Sequence, residues 1–350
     1  MNRNHLVDLY SDTKSKPTPG MRQYMMSVEV GDEQKDEDQN VLDLCERVAD
    51  MLGKEAAVLL PSGTMCNEIA LAVHCRPGDE IIVHENAHII VSETGGPAAL
   101  AGVMVRGVQG ARGMFDGATL RSAIRPESRY LQKTTLVSVE QTANFGGGAV
   151  WPLAKIQEVV SVAREAGLIL HMDGARLLNA VVASGRSAKD YAGPFDSAWL
   201  DLSKGLGGPV GGVLAGTRDF IREAWRLKQR WGGAMRQSGF LAAAGIYALD
   251  HHVERLAEDH DNARALASGL AALPGISLTY DTIDTNIVFF DVAGTGRTAD
   301  DIVAALKVRG VIIGGGGMFG PTIMRAVTHL GVSRADIDVA IAALRDIVEA

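Results

Sequence analysis

Residues 200–212 read LDLSKGLGGPVGG and place Lys204 after an apolar run (Ala198, Trp199, Leu200, Leu202) and before a glycine-rich turn. HMDGAR, residues 171–176, ends a second apolar run on Asp173, and PSGT, residues 61–64, follows a third. A lysine amine forms an imine with an aldehyde, and a carboxylate keeps a ring nitrogen protonated. The free amides of a helix start, with the hydroxyl of Ser62 or Thr64, hold a phosphate. Together the three suit pyridoxal phosphate: Lys204 as covalent anchor, Asp173 on the pyridine nitrogen, and the Ser62–Gly63–Thr64 turn on the phosphate. An enclosed lysine also has its pKa lowered by desolvation and nearby cations, which supplies the neutral amine. Singly, each stretch has an ordinary reading: a solvated lysine, an aspartate capping a turn, a common helix cap.

Ligands of open α/β sheets gather at the carboxyl ends of strands, so these residues need a sheet behind them. Seven apolar runs qualify: AAVLL (56–60), EIIVHE (80–85), GVMVRGV (102–108), TTLVSVEQT (134–142), LILHMDGA (168–175), DSAWLDL (196–202) and GGVLAGT (211–217). They alternate with helical patterns such as PLAKIQEVVSVAREAG, which predicts a mostly parallel seven-stranded sheet covered on both faces. From about residue 236 the pattern changes to alanine-rich helices over 236–272. Then come ISLTY (276–280), TNIVFFDV (285–292), a helix at 298–309, VIIGG (311–315), IMRAVTH (323–329) and a last helix from Ser333. This predicts a large α/β domain over residues 1–250, bridged by a long helix to a smaller α+β domain over 251–350.

The chain has 350 residues, 47% hydrophobic and 22% charged, an ordinary globular balance with ample material for a core. Its 34 Lys and Arg against 42 Asp and Glu leave a net charge of −8, with no basic stripe, which speaks against a nucleic-acid partner. No apolar run approaches the roughly 18 residues of a membrane span, and MNRNHLVDLYSD lacks an apolar signal region. Cys45, Cys66 and Cys75 form no CxxC pair and read as reduced thiols, Cys66 and Cys75 on one helix, so a cytoplasmic location is expected. The nine histidines show no HExxH pattern, and the adjacent His251 and His252 point to different helix faces, so no metal site is expected.

The chain resembles the low-specificity L-threonine aldolases, relatives of the β-eliminating lyases with the aspartate-aminotransferase-like fold type I. The matching stretches include DLYSDTKSKPTPGM, GKEAAVLLPSGTMCN, ENAHIIVSETGG, LHMDGARLLNA, LSKGLGGPVGGVLAG, GGAMRQSGFLAAAGIYALDHH, TNIVFF and RAVTHLGVS, in the family's order over nearly the whole chain. The resemblance implies that Lys204 is the Schiff-base lysine, that Asp173 partners the pyridine nitrogen and that Gly63 and Thr64 hold the phosphate. It implies a phosphate contact from Arg236 of a neighbouring subunit, and stacking of His88 on the cofactor ring. Ser11, Arg176 and Arg325 match the groups that grip the substrate carboxylate, Arg176 also lying near the ring hydroxyl. A homo-oligomer whose subunits share active sites, a dimer at least and by resemblance a tetramer, is implied as well.

The implied reaction is retro-aldol cleavage of a β-hydroxy-α-amino acid to glycine and an aldehyde. The alternatives are a related lyase, racemase or aminotransferase acting at Cα–H, and a cofactor-binding protein without catalysis. The chain departs from the family at two places. EQTAN puts Ala143 where a histidine near the substrate hydroxyl is usual, leaving His88 or a water as proton acceptor. GDEQKDED puts Lys35 where a tyrosine is usual; it either neutralises the surrounding acids or adds positive charge at the site. Extra room at Ala143 and charge at Lys35 point to a bulky or acidic β-substituent.

Overall fold

A computed structural model describes residues 6–349. The seven expected strands form as β1 Ala56–Leu60, β2 Glu80–His84, β3 Met104–Val108, β4 Thr134–Glu140, β5 Ile169–Asp173, β6 Ser197–Asp201 and β7 Gly212–Gly216. They lie in one sheet in the order β1-β7-β6-β5-β4-β2-β3. Strand β7 runs antiparallel to both its neighbours, and the other pairs are parallel. β2, β6 and β7 are buried along their whole length, as strands covered by helices on two faces must be. Helix α1 (Gln39–Leu52) covers one face through Val41, Leu44, Val48 and Leu52, and a left-handed Gly53 ends it. Helix α2 (Gly63–His74) starts directly after β1, where the Ser62 hydroxyl accepts the Met65 N–H at 3.2 Å.

A second sheet pairs Ser277–Leu278, Ile287–Asp291, Ile323–Val327 and Gly314–Gly315. Its core contains Val288, Phe290, Met324, Ile302, Leu306, Ile337 and Leu344, and it also takes in Val7 and Leu9 from the N-terminal segment. Two details differ from the sequence reading. In place of one long bridging helix there are two shorter ones, α3 (Gly239–His251) and α4 (Leu256–Ala271). His252 sits at the break, its Nδ1 2.7 Å from the Leu206 carbonyl, a contact with the loop that follows Lys204. The VIIGG run is likewise divided: Val311–Ile312 pairs in parallel with Val7–Asp8, while Gly314–Gly315 joins the antiparallel sheet opposite Arg325 and Met324. The N-terminal segment thus claims an edge of the smaller unit, and the Val327 N–H donates to the Leu9 carbonyl at 2.8 Å. That pairing carries Ser11 and Asp12 to the same place as Arg325.

Cys66 lies in α2 and Cys75 directly follows it; both are buried, and the three cysteines are free. Among the described residues no helix is long and apolar enough to cross a membrane.

Candidate active site

A cavity of about 640 Å³ opens at the carboxyl ends of β4, β5 and β6, closed on the far side by the Gly314–Phe319 loop and Arg325. Lys204 follows β6, and its Nζ donates to the carboxylate of Asp201, the last residue of that strand. The same Nζ lies 5.7 Å from the centre of the Trp199 ring. The turn beyond Lys204 needs its glycines: Gly207 has φ +75°, and a Cβ there would lie 2.6 Å from Leu330 Cδ2. Gly63 has a different reason, since a Cβ on it would come within 2.2 Å of the Trp199 ring. Only glycine lets the start of α2 approach the floor of the cavity so closely.

Asp173 ends β5 and is 3% exposed. Its Oδ2 accepts from Asn67 Nδ2 at 2.9 Å and its Oδ1 from the Ala175 N–H at 3.0 Å. Burial raises its pKa, against the opposing pull of His88 and of the Asn67 hydrogen bond. A buried carboxylate held in place by neutral donors favours a cationic partner, which a protonated pyridine nitrogen provides. Lys204 on the adjacent strand end, Asp173 beneath, and the amides of Gly63 and Thr64 on the wall therefore fit pyridoxal phosphate.

His88 lines the same cavity, 37% of its side chain exposed. Its backbone N–H donates to Glu140 Oε2 at 2.6 Å, and its Nδ1 lies 2.9 Å from Glu93 Oε1. Burial alone lowers the imidazole's pKa, but Glu93, Asp173 and Glu140 outweigh it and the net direction is upward. Glu140 is pushed up to about 7 by burial and by the charge of Asp173.

The opposite rim is cationic. Arg176 grips Asp12 with both prongs of its fork, Nε to Oδ2 at 2.7 Å and Nη2 to Oδ1 at 2.8 Å. Although burial opposes ionisation of Asp12, Arg176 holds its carboxyl well below the usual range. Arg325 donates to Asn144 Oδ1 at 2.7 Å, while its Nε is buried without a partner. Burial and the charge of Arg176 lower Arg325 to about 10. Of these two guanidiniums, Arg325 has donors to spare. Ser11 lines the cavity and caps a short turn, its Oγ accepting from the Thr13 N–H at 3.2 Å.

Ser11, Ser62, Gly63, Thr64, His88, Asp173, Arg176, Lys204 and Arg325 therefore meet around one cavity. Three others do not line it. Arg236 is exposed and pairs with Asp32 at 2.9 Å. Lys35 is exposed on the neighbouring turn Glu33–Lys35. Ala143 is buried behind the wall, its backbone bridged to Ala149. The structure adds Asn67, Glu93, Asp12, Asp201 and Asn144, which sequence reasoning missed. A signal existed for Asn67 and for Asp201, which lies three residues before Lys204, but the partner of Asp12 is remote in sequence.

Comparison with known proteins places the chain in a family. Residues 8–293 match the family model described as beta-eliminating lyase. The chain is 40% identical to the low specificity L-threonine aldolase of Escherichia coli strain K12 over 333 residues, 95% of this chain and 96% of that protein. It is 38% identical to the probable low-specificity L-threonine aldolase 2 of Arabidopsis thaliana, over 95% of this chain and 94% of that one. Among solved structures, the threonine aldolase of Leishmania major superposes with a TM-score of 0.84 at 22% identity, covering 98% of this chain and 99% of that one.

Proposed function

The chain belongs to the beta-eliminating lyase family, among the low-specificity L-threonine aldolases, and on that premise we infer that it cleaves a β-hydroxy-α-amino acid to glycine and an aldehyde. One observation carries the reading: Lys204 and Asp173 end adjacent strands and open onto one cavity whose opposite rim holds a guanidinium with an unpaired Nε. Lys204 would hold pyridoxal phosphate, which when bound would supply the electron sink that Cα–Cβ cleavage needs.

The remaining work falls to the chain. Asp173 holds the positive charge on the ring nitrogen, and Gly63 and Thr64 bind the phosphate at the start of α2. Arg325 and Ser11 grip the substrate carboxylate, with Arg176 held in line by Asp12. That grip at one end of the substrate turns the Cα–Cβ bond out of the ring plane, the orientation in which it is weakened. His88 accepts the β-hydroxyl proton, because Ala143 has no group that can, and returns it when glycine forms.

Two finer statements belong to the same proposal. The chain works as a homo-oligomer in which Arg236 of one copy meets the phosphate in another, since Arg236 lies outside its own cavity. Lys35, on the turn beside Asp32 and Arg236, travels with it and favours an acidic β-substituent. A panel of threonine, phenylserine and 3-hydroxyaspartate tests both reaction and preference. Glycine with an aldehyde is expected, fastest from 3-hydroxyaspartate. A keto acid without glycine contradicts aldol cleavage, and equal rates across the panel contradict the preference.

A further inference from the structure

Behind His88 lies a pair of buried carboxyls that the mechanism above does not use. Glu68, on α2, is 2% exposed and Glu93 is 5% exposed. They share one corner at Gly96: a Cβ there would lie 2.0 Å from Glu68 Oε1, and the Gly96 N–H donates to the Glu93 carbonyl at 2.8 Å. Glu93 Oε1 accepts from Asn67 Nδ2 at 2.7 Å and faces His88 Nδ1 at 2.9 Å. Both Glu68 oxygens are buried without a protein donor, and Glu93 Oε2 is in the same condition. Three buried acceptors without a protein donor, set beside one another, are costly. One proton between the two carboxyls removes the conflict, and the donor count says where it resides. The proton belongs on Glu68, which has no protein donor, and the charge on Glu93, whose Oε1 already accepts from Asn67.

We infer that Glu68 keeps a proton, donates it as a hydrogen bond to Glu93 Oε2, and thereby fixes His88 with its hydrogen on Nδ1 and its lone pair on Nε2. A carboxylate can only accept, so an ionised Glu93 makes Nδ1 the donor and leaves Nε2 as the basic nitrogen of the residue that lines the cavity. Glu68 is a positioning residue: it touches neither substrate nor cofactor and acts through Glu93. Asn67 ties the same carboxylate to Asp173, so the orientation of His88 and the seat of the ring nitrogen share one anchor. Burial and the neighbouring charge of Glu93 push Glu68 up to about 8, in the same direction. The other charged groups facing His88 are Asp173 and Glu140, both anionic when ionised, so neither supplies the missing donor. The placement is built into the backbone as well, because a Cβ on Gly96 would lie 2.0 Å from Glu68 Oε1. A side chain at 96 would push the carboxyl aside.

The inference rests on the reading of His88 as proton acceptor, yet its test does not depend on turnover. Infrared spectra of the holoenzyme at neutral pH should show the carbonyl stretch of an un-ionised carboxyl that E68Q lacks. Spectra of ¹⁵N-histidine-labelled protein should show neutral His88 protonated at Nδ1 in the wild type and in E68Q, whose amide still donates to Glu93. E68L offers no donor and G96A displaces the carboxyl; both should shift His88 toward the other tautomer. The same two variants should lower kcat by about tenfold or more with KM within about twofold, while E68Q stays near wild type. An unchanged infrared spectrum in E68Q, or wild-type His88 resonances in both E68L and G96A, would overturn the inference. Absence of glycine release from the wild type would remove the aldolase reading alone, with the spectra still deciding the proton.

Discussion

The two arginines of the cavity look alike in the sequence and have different duties in the structure. Arg176 spends its fork on Asp12, whereas Arg325 keeps a buried Nε unpaired. Charge-assisted hydrogen bonds contribute about 1.5–3 kcal/mol, so R325A should raise KM for the amino acid by about 10- to 100-fold with little effect on melting temperature. R176A instead leaves Asp12 buried and unpaired and should destabilise the fold by about 3–5 kcal/mol, read by denaturant titration. Titration supplies a second prediction at this scale. Glu140, raised from 4.5 to about 7, binds its proton more tightly folded than unfolded. The folded state therefore carries the extra proton between those values, and stability should fall as pH rises from about 4.5 to about 7. His88, raised above 6.5, adds a loss of the same sign at higher pH. Urea melts across this range should show the slope, and E140Q should flatten its acid limb. Lys204 and Asp173 were legible in the sequence because each ends an apolar run. Asp12 and Glu93 were not, since their meaning comes from partners in other elements.

At the scale of elements, all seven strands of the large sheet were visible, because each is a short apolar run bounded by turn residues. What could not be read was any feature that depends on a remote partner. VIIGG looks like one strand, but Val7–Asp8 takes its first half and the strand bearing Arg325 takes its second. That division brings Ser11 and Asp12 from the chain's start to Arg325 near its end. The junction of β1 and α2 is as tightly determined: Gly63 packs on Trp199, whose Nε1 donates to Asn67 Oδ1 at 2.8 Å. G63A forces the start of α2 away from the cavity floor. Overpacking of this kind costs about 1–3 kcal/mol. Cofactor affinity, measured by titrating apoenzyme with pyridoxal phosphate, should weaken in parallel, while a variant that keeps affinity would show that the turn does not hold the phosphate.

The two largest apolar cores of the described residues lie one in the large sheet unit and one in the smaller unit, and both units lend residues to the cavity. One copy does not supply every residue the reading requires. Arg236 and Lys35 face outward beside Asp32. If Arg236 serves another copy's phosphate, then R236A and K204A subunits, each inactive alone, should regain activity when unfolded together and refolded as mixed oligomers. Mixing that restores nothing would place the phosphate contact within one chain. Central to all of this is the covalent duty of Lys204, set between Asp201 and the Trp199 ring. Borohydride reduction of the purified holoenzyme, followed by peptide mass spectrometry, tests it directly. The pyridoxyl mass should sit on Lys204, and K204A should take up no label. Label on any other lysine, or glycine release from K204A at the wild-type rate, would contradict the account.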